Sequence, residues 1–296
     1  MKLPTLLLLI SLLFFSCKEK SKEYQYEAPE GKGIENAEKA GLKIVIQSYT
    51  FRQLSLVETI EIANQIGIKY LEVYPEHTIG GVWGEKTFSK DLSDQEIEDI
   101  KAYAEQNNIQ IVGYGVYKTR EEADWKEVFA FAQKLNLSYI SCEPEEAHLD
   151  LIEELAKSYN IDVNIHNSIE PSIYNDPKAL LEKIKDRDSR MKVCGDVGNW
   201  KLFGFEAYES LETVNDRLGS VHLKDLHPNQ FDDDVLFDCI LNIGIVDIDE
   251  VIMRLRDQKF EGYLAIEFIS DKPNPTEEVG TSYFYYDLIT NRLFPE

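Results

Sequence analysis

Five short apolar runs each close on a side chain able to bind a metal ion. They are Tyr139-Ile-Ser-Cys-Glu143, Asp162-Val-Asn-Ile-His166, Lys192-Val-Cys-Gly-Asp196, Gly219-Ser-Val-His222 and Tyr263-Leu-Ala-Ile-Glu267. A lone strand-end glutamate is most often salt-bridged and a lone buried histidine a satisfied core residue, but five ionisable groups at one strand end argue for a shared site. Two imidazoles and three carboxylates with no positioned thiolate suit one divalent ion such as Mn, Co, Zn or Fe(II). Such an ion polarises a ketone or holds both oxygens of an ene-diolate, lowering the cost of removing the neighbouring proton. Glu143, Asp196, His222 and Glu267 are the expected ligands, with His166 either a fifth ligand or a hydrogen-bonding neighbour. Glu143 and Glu267 are the first candidates for acid/base work. Lys224 shares the inward parity of His222 and either stabilises an enolate, acts as a base if burial lowers its pKa, or is simply an exposed loop lysine.

The elements that must position these groups repeat as strand, loop, helix. Strands are expected at Lys43–Ser48, Ile68–Tyr74, Ile109–Tyr114, Ser138–Glu143, Asp162–His166, Lys192–Asp196, Ser220–Leu223 and Tyr263–Glu267. Between them, Ser55-x-x-Glu58 and Ser93-x-x-Glu96 read as capping boxes, and Asp176-Pro177 places proline in a first helical turn. Eight strands alternating with helices predict an α/β fold, a (β/α)8 TIM barrel, whose strand ends meet at one mouth. On the face of each ligand-type residue, two positions earlier, stand Ser141, Asn164, Cys194, Ser220 and Ala265, small or polar as a site with room beneath it requires.

Further candidates border that mouth. Glu72 lies on the inward face of the second strand. His77 and Trp83, on the long loop from about Pro75 to Leu92, could form a sugar-stacking wall, and Tyr114 and Asn167 could contact substrate; local packing is the competing reading for each aromatic. His148 and His227 read as surface residues. A second long loop, about Leu226 to Asp247, carries the run Asp232-Asp233-Asp234, most simply a solvated face.

With 31 Lys+Arg against 54 Asp+Glu, the formal net charge of −23 repels nucleic acid and anionic lipid headgroups. Residues 1–17 read as a lipoprotein signal peptide: Lys2 precedes the apolar stretch Leu6 to Phe15, too short to span a bilayer, and Phe14-Phe15-Ser16-Cys17 resembles a lipobox, with phenylalanine where leucine is usual. Lipidation at Cys17 would leave residues 18–41 as a polar tether and 42–296 as the barrel, anchored in the periplasm or at the outer membrane. Membrane contact is then through the anchor alone. Cys142 and Cys194 fall inside predicted strands and read as small buried hydrophobes.

From Leu42 onward the chain resembles the xylose-isomerase-like barrel superfamily, the sugar phosphate isomerase/epimerase group. Leu-Glu-Val-Tyr-Pro around Glu72, Gly-Asp-x-Gly-Asn through Asp196, Val-His-Leu-Lys-Asp around His222 and Ala-Ile-Glu at Glu267 carry the resemblance. It implies metal ligation by Asp196, His222 and Glu267. The chain departs from the pattern at the fifth strand, where His166 replaces a catalytic glutamate that Glu143 would have to supply, and at Asn199, where a substrate-contacting histidine often stands. It is most similar to secreted Bacteroidetes-type lipoproteins of the group, some acting on 3-keto-glycosides. The expected activity is therefore a metal-dependent isomerase, epimerase or lyase on a small carbohydrate. The acidic seventh loop, with no glycine-rich phosphate cradle, points to a non-phosphorylated one. A non-catalytic carbohydrate-binding surface lipoprotein is the alternative. An endonuclease IV-like enzyme wants more histidines than five and a basic face.

Overall fold

The computed structural model describes residues 30–229 and 231–295. The signal segment with Cys17 lies outside the described residues, as does the tether as far as residue 29. The strands are β1 (Leu42–Gln47), β2 (Tyr70–Val73), β3 (His77–Thr78), β4 (Thr87–Phe88), β5 (Gln110–Tyr117), β6 (Tyr139–Cys142), β7 (Asp162–His166), β8 (Met191–Asp196), β9 (Leu218–Leu223), β10 (Asp225–Asn229), β11 (Asp232–Cys239) and β12 (Gly262–Ile266). The helices are α1 (Lys32–Lys39), α2 (Leu56–Ile66), α3 (Asp94–Gln106), α4 (Glu122–Lys134), α5 (Leu149–Tyr159), α6 (Pro177–Ile184), α7 (Val197–Leu202), α8 (Ala207–Val214), α9 (Ile248–Asp257) and α10 (Thr276–Leu293).

Eight parallel strands close in the order β1-β12-β9-β8-β7-β6-β5-β2, the expected barrel. Its helices start where side chains can cap them. The Ser55 and Ser93 hydroxyls accept from the backbone of Glu58 and Glu96, whose carboxylates bond back, and Asp176 accepts from Lys178 and Ala179 ahead of α6. Outward strand residues such as Ile44, Leu71, Ile140, Ile165, Val193, Val221 and Ile266 pack with the helices in the main core. Inside the barrel Val45, Val112, Tyr139 and Ala265 form a smaller apolar cluster, with Tyr70 and Tyr263 packed against it. Above it come buried Gln47, Glu72, Ser141, Asn164 and Ser220, and above these the strand-end groups.

Three expectations change. The last part of the supposed tether is α1, docked on α10. There Ile34 and Ala37 are buried, Ile34 N donates to Asp287 Oδ1 at 3.0 Å, and a Cβ on Gly33 would lie 2.1 Å from the Asp287 carbonyl oxygen. An amphipathic turn beside an apolar helix face buries rather than stays tethered. The two long loops are also not irregular: β3 pairs with β4 in the first, and β10 with β11 in the second. Third, His148 is no surface residue: it is buried and accepts from Trp125 Nε1 at 3.2 Å. No helix among the described residues is long and apolar enough to cross a membrane.

Candidate metal centre

Parallel register sets the heights of the side chains. Asp196 on β8 pairs with His222 on β9, and His166 on β7 pairs with Cys194 on β8. Side chains paired across neighbouring strands share a face, so these four point into the barrel together. Ala265 of β12 lies level with His222, which leaves Glu267, two residues on, just above. One ligand atom each from His166, Asp196, His222 and Glu267 lies within 4.8 Å of the other three. All four residues are buried.

Each imidazole is oriented from behind by a carboxylate. His166 Nδ1 is 2.9 Å from Glu143 Oε1, which turns Nε2 toward Asp196 Oδ2 at 3.6 Å. His222 Nε2 is 3.2 Å from Glu72 Oε2, which turns Nδ1 toward Glu267 Oε2 at 3.3 Å. Glu72 is fixed in turn by Gln47 Nε2 at 2.9 Å, the Tyr139 hydroxyl at 2.7 Å and the Ser141 hydroxyl. The other Glu143 oxygen takes Lys118 Nζ at 2.7 Å. Metal-binding histidines commonly carry such a carboxylate on the ring nitrogen that faces away.

Lys224 enters from the β9 end. Its side chain is 2% exposed, and Nζ lies 3.1 Å from both Asp196 Oδ2 and Glu267 Oε2 and 3.5 Å from Asn199 Oδ1. Burial opposes the charge on Lys224, but Asp196 and Glu267 outweigh it and hold the ammonium above the ordinary lysine range. This placement excludes the exposed loop lysine and sets a cation between the two carboxylates in the ion-free centre. Burial raises the Glu267 carboxyl, yet Lys224 and His222 hold it well below the usual carboxylate range. His166 is pushed up to about 9: burial works against its charge, and Asp196 and Glu143 favour it.

The donor set fits a divalent ion. His166 Nε2, Asp196 Oδ2, His222 Nδ1 and Glu267 Oε2, one atom from each member of the group, are buried and make no well-directed hydrogen bond, although the two oxygens share the Lys224 ammonium at 3.1 Å. Leaving buried polar atoms without a hydrogen bond is costly unless something else binds them. Without an ion, Glu72, Glu143, Asp196 and Glu267 draw charge onto both imidazoles as well as Lys118 and Lys224, and a divalent ion bound by the four donors would take the place of the imidazole protons.

The chain belongs to the xylose isomerase-like TIM-barrel family, whose sequence profile matches residues 60–283. Solved structures agree in fold. An uncharacterized protein from Parabacteroides distasonis is 28% identical, with 82% of this chain and 96% of that one covered and a TM-score of 0.67. The IOLI protein with a bound zinc atom is 15% identical over 86% of this chain and 100% of its own, with a TM-score of 0.67. D-psicose 3-epimerase from Clostridium cellulolyticum, solved with D-tagatose, is 15% identical over 86% of this chain and 99% of its own, with a TM-score of 0.61. No curated protein sequence matches the chain.

The remaining predicted residues divide. Asn167 latches β7 to β8 by donating to the Asp196 carbonyl at 2.9 Å and accepting from its N–H at 2.7 Å. Asn199 donates to the Asn167 carbonyl at 2.9 Å, and its N–H caps on Asp196 Oδ1 at 2.8 Å. Both support the centre. Glu143, expected as ligand and acid/base group, stands outside the four-atom group because both of its oxygens are engaged by His166 and Lys118. Glu72, expected to contact substrate, lies behind His222. His77 is buried between Ser48 Oγ at 3.2 Å and the Leu54 carbonyl at 3.0 Å and stacks on Tyr74. Trp83 packs edge-on against Tyr103, and Tyr114 packs with Phe88 and Phe131 on the helix side. None of these three forms a wall at the mouth.

Sequence reasoning passed over Gln47, Lys118 and Asp238 as members of the site. Gln47 was detectable as a polar residue at inward parity on the first strand. Asp238, on β11, accepts from Ile269 N at 2.7 Å and joins the seventh loop to the eighth. Burial pushes its carboxyl up to about 6, with Lys224 opposing and Glu267 and Asp196 adding.

Proposed function

We propose that this protein is a divalent-metal-dependent sugar isomerase, epimerase or lyase acting on a non-phosphorylated keto-sugar or 3-keto-glycoside. The observation that carries the reading is the convergence of four buried donor atoms, none with a well-directed hydrogen bond, at the mouth of a barrel. His166, Asp196, His222 and Glu267 would hold the ion, with Glu143 and Glu72 fixing the imidazoles. When bound, the ion polarises the substrate carbonyl and makes the adjacent C–H more acidic. Glu267, kept ionised, takes that proton, and Lys224, kept cationic, faces the oxygen on which negative charge grows. Asp238 of the hairpin β10–β11 accepts from Ile269 N and lies near enough to Lys224 to favour its charge, which ties the seventh and eighth loops together on this side of the centre.

The acidic seventh loop and the net charge of −23 disfavour a phosphorylated substrate. Cys17 would tether the enzyme to a membrane in the periplasm or at the outer membrane, where glycosides from outside the cell arrive.

The test is metal analysis of the purified protein, followed by NMR of 3-keto-glycosides and free ketoses in D2O with and without a chelator. Exchange of the proton next to the carbonyl, lost on chelation and in Glu267→Gln, is the expected result. Preference for a sugar phosphate over its neutral counterpart would overturn the substrate class. Ligand binding by metal-loaded protein with no exchange would favour the carbohydrate-binding alternative.

A further inference from the structure

Cys194 lies two residues below Asp196 on the same inward face of β8, fully buried and in register with His166. Its Sγ, one ring nitrogen of His166 and one of His222 form a second cluster whose atoms all lie within 4.8 Å of one another. The two imidazoles are 5.0 Å apart between ring centroids, and His166 Nε2 and His222 Nδ1 lack hydrogen-bond partners. The thiol is free of any disulfide.

We infer that the barrel holds two overlapping donor sets that share His166 and His222: a hard one completed by Asp196 and Glu267, and a softer one completed by Cys194 Sγ, which selects thiophilic divalent ions such as Zn2+ and Cd2+. This rests on the reading of the centre as a metal site. It revises the expectation that Cys194 is only a small hydrophobe. Carboxylate donors suit hard ions, whereas a thiolate between two imidazoles favours soft and borderline ones. Binding in the softer set forms an S–metal bond as the S–H bond breaks. The proton leaves to solvent, and no oxidation state changes. The thiol is fully buried below Asp196 on the same strand, so an ion would reach it from the strand-end side.

The test uses the full chain, stripped of metal and titrated with Co2+ and Cd2+. A thiolate-to-metal charge-transfer band in the near ultraviolet, with proton release into weak buffer, is expected. Cys194→Ser should lose the band while still binding an ion, with Cd2+ affinity lower by about tenfold or more and Mn2+ affinity little changed. The complementary variant C17S/C142S/C239S keeps Cys194 as its sole thiol and must retain the band, which guards against a misfolded Cys194→Ser. Stoichiometric ion binding by the wild type without the band, or a band that survives in Cys194→Ser, overturns the thiolate set and leaves the hard set intact. If the wild type binds no ion at all, the metal centre itself falls with it.

Discussion

Glu143 Oε1 sits 2.9 Å from His166 Nδ1, and this contact fixes which face of the imidazole looks into the barrel. With Nδ1–H donated to the carboxylate, Nε2 faces Asp196, and an ion bound there would take the Nε2 lone pair in place of its proton. Glu143 therefore acts through His166. Its removal should weaken metal binding as loss of an orienting carboxylate does, about 10–100-fold, with Glu143→Gln milder than Glu143→Ala because the amide oxygen still accepts. Asp196→Ala should cost more than either. Competition against a chromophoric chelator measures all three, and equal losses for Glu143→Ala and Asp196→Ala would return Glu143 to the ligand set.

Glu72 is fully buried and meets donors from Gln47, Tyr139, Ser141 and His222. Burial raises its carboxyl, and His222 with the hydroxyl donors brings it below the ordinary range. Glu72→Ala strands these donors and should destabilise the barrel by about 3–5 kcal/mol, the usual cost of breaking a buried ionic cluster. Glu72→Gln should cost roughly 1–3 kcal/mol, because one oxygen remains to accept. Urea unfolding of metal-free protein gives both values. A near-neutral Glu72→Ala would show that Glu72 does not anchor His222.

The strand pattern, the closed barrel and the inward set of Asp196, His222 and Glu267 were legible because parallel strands read as apolar runs with one ionisable end. What escaped the sequence was lateral. β6 stops at Cys142, so Glu143 lies beyond the strand and reaches sideways to His166 instead of inward. Tyr114 takes the packing alternative because the β2–β5 ladder shifts register at Leu71/Glu72. Glu72 then opposes Gly113 and Val73 opposes Tyr114, so Tyr114 turns outward with Val73. A one-residue slip reverses the face of every later side chain and leaves little trace in composition. His77 and Trp83 belong to the β3–β4 hairpin and its tip, whose folding back onto α2 and α3 no periodicity announces.

Gly198, in the first turn of α7, touches the Lys224 stem. A Cβ there would meet Lys224 Cγ at 2.7 Å and its Cβ and Cδ at 2.9 Å. Gly198→Ala should fold at a cost of about 1–3 kcal/mol for overpacking. It should also shift Nζ from its place between Asp196 and Glu267 and slow proton exchange by about 10²-fold, the scale set by a displaced catalytic group. Lys224→Met should slow it by about 10²–10³-fold, as removal of a donor facing developing charge does. The NMR exchange assay compares them, and wild-type exchange by Lys224→Met would remove Lys224 from the chemistry.

His77 makes stability depend on pH independently of the metal centre. Burial pushes the ring down to about 4, with the Leu54 carbonyl opposing, whereas an unfolded histidine titrates near 6.5. Between these values the unfolded chain binds more protons than the folded one, so stability rises with pH across the window. The contribution is whole above about pH 6.5 and drains away as pH falls toward 4; it amounts to roughly 3 kcal/mol in all, of which about 2 kcal/mol is gone by pH 5. In His77→Gln that slope should vanish, although the variant starts less stable at neutral pH because the contacts to Ser48 and Leu54 are altered. Chemical denaturation of both proteins from about pH 4 to 7.5 isolates the effect in their difference, since the carboxylates common to both cancel. A difference that stays constant over the range would mean that folding leaves the His77 pKa at its unfolded value; a difference of opposite slope would mean that His77 is protonated in the folded protein, and its stacking on Tyr74 would then have to be read as a cation–π contact.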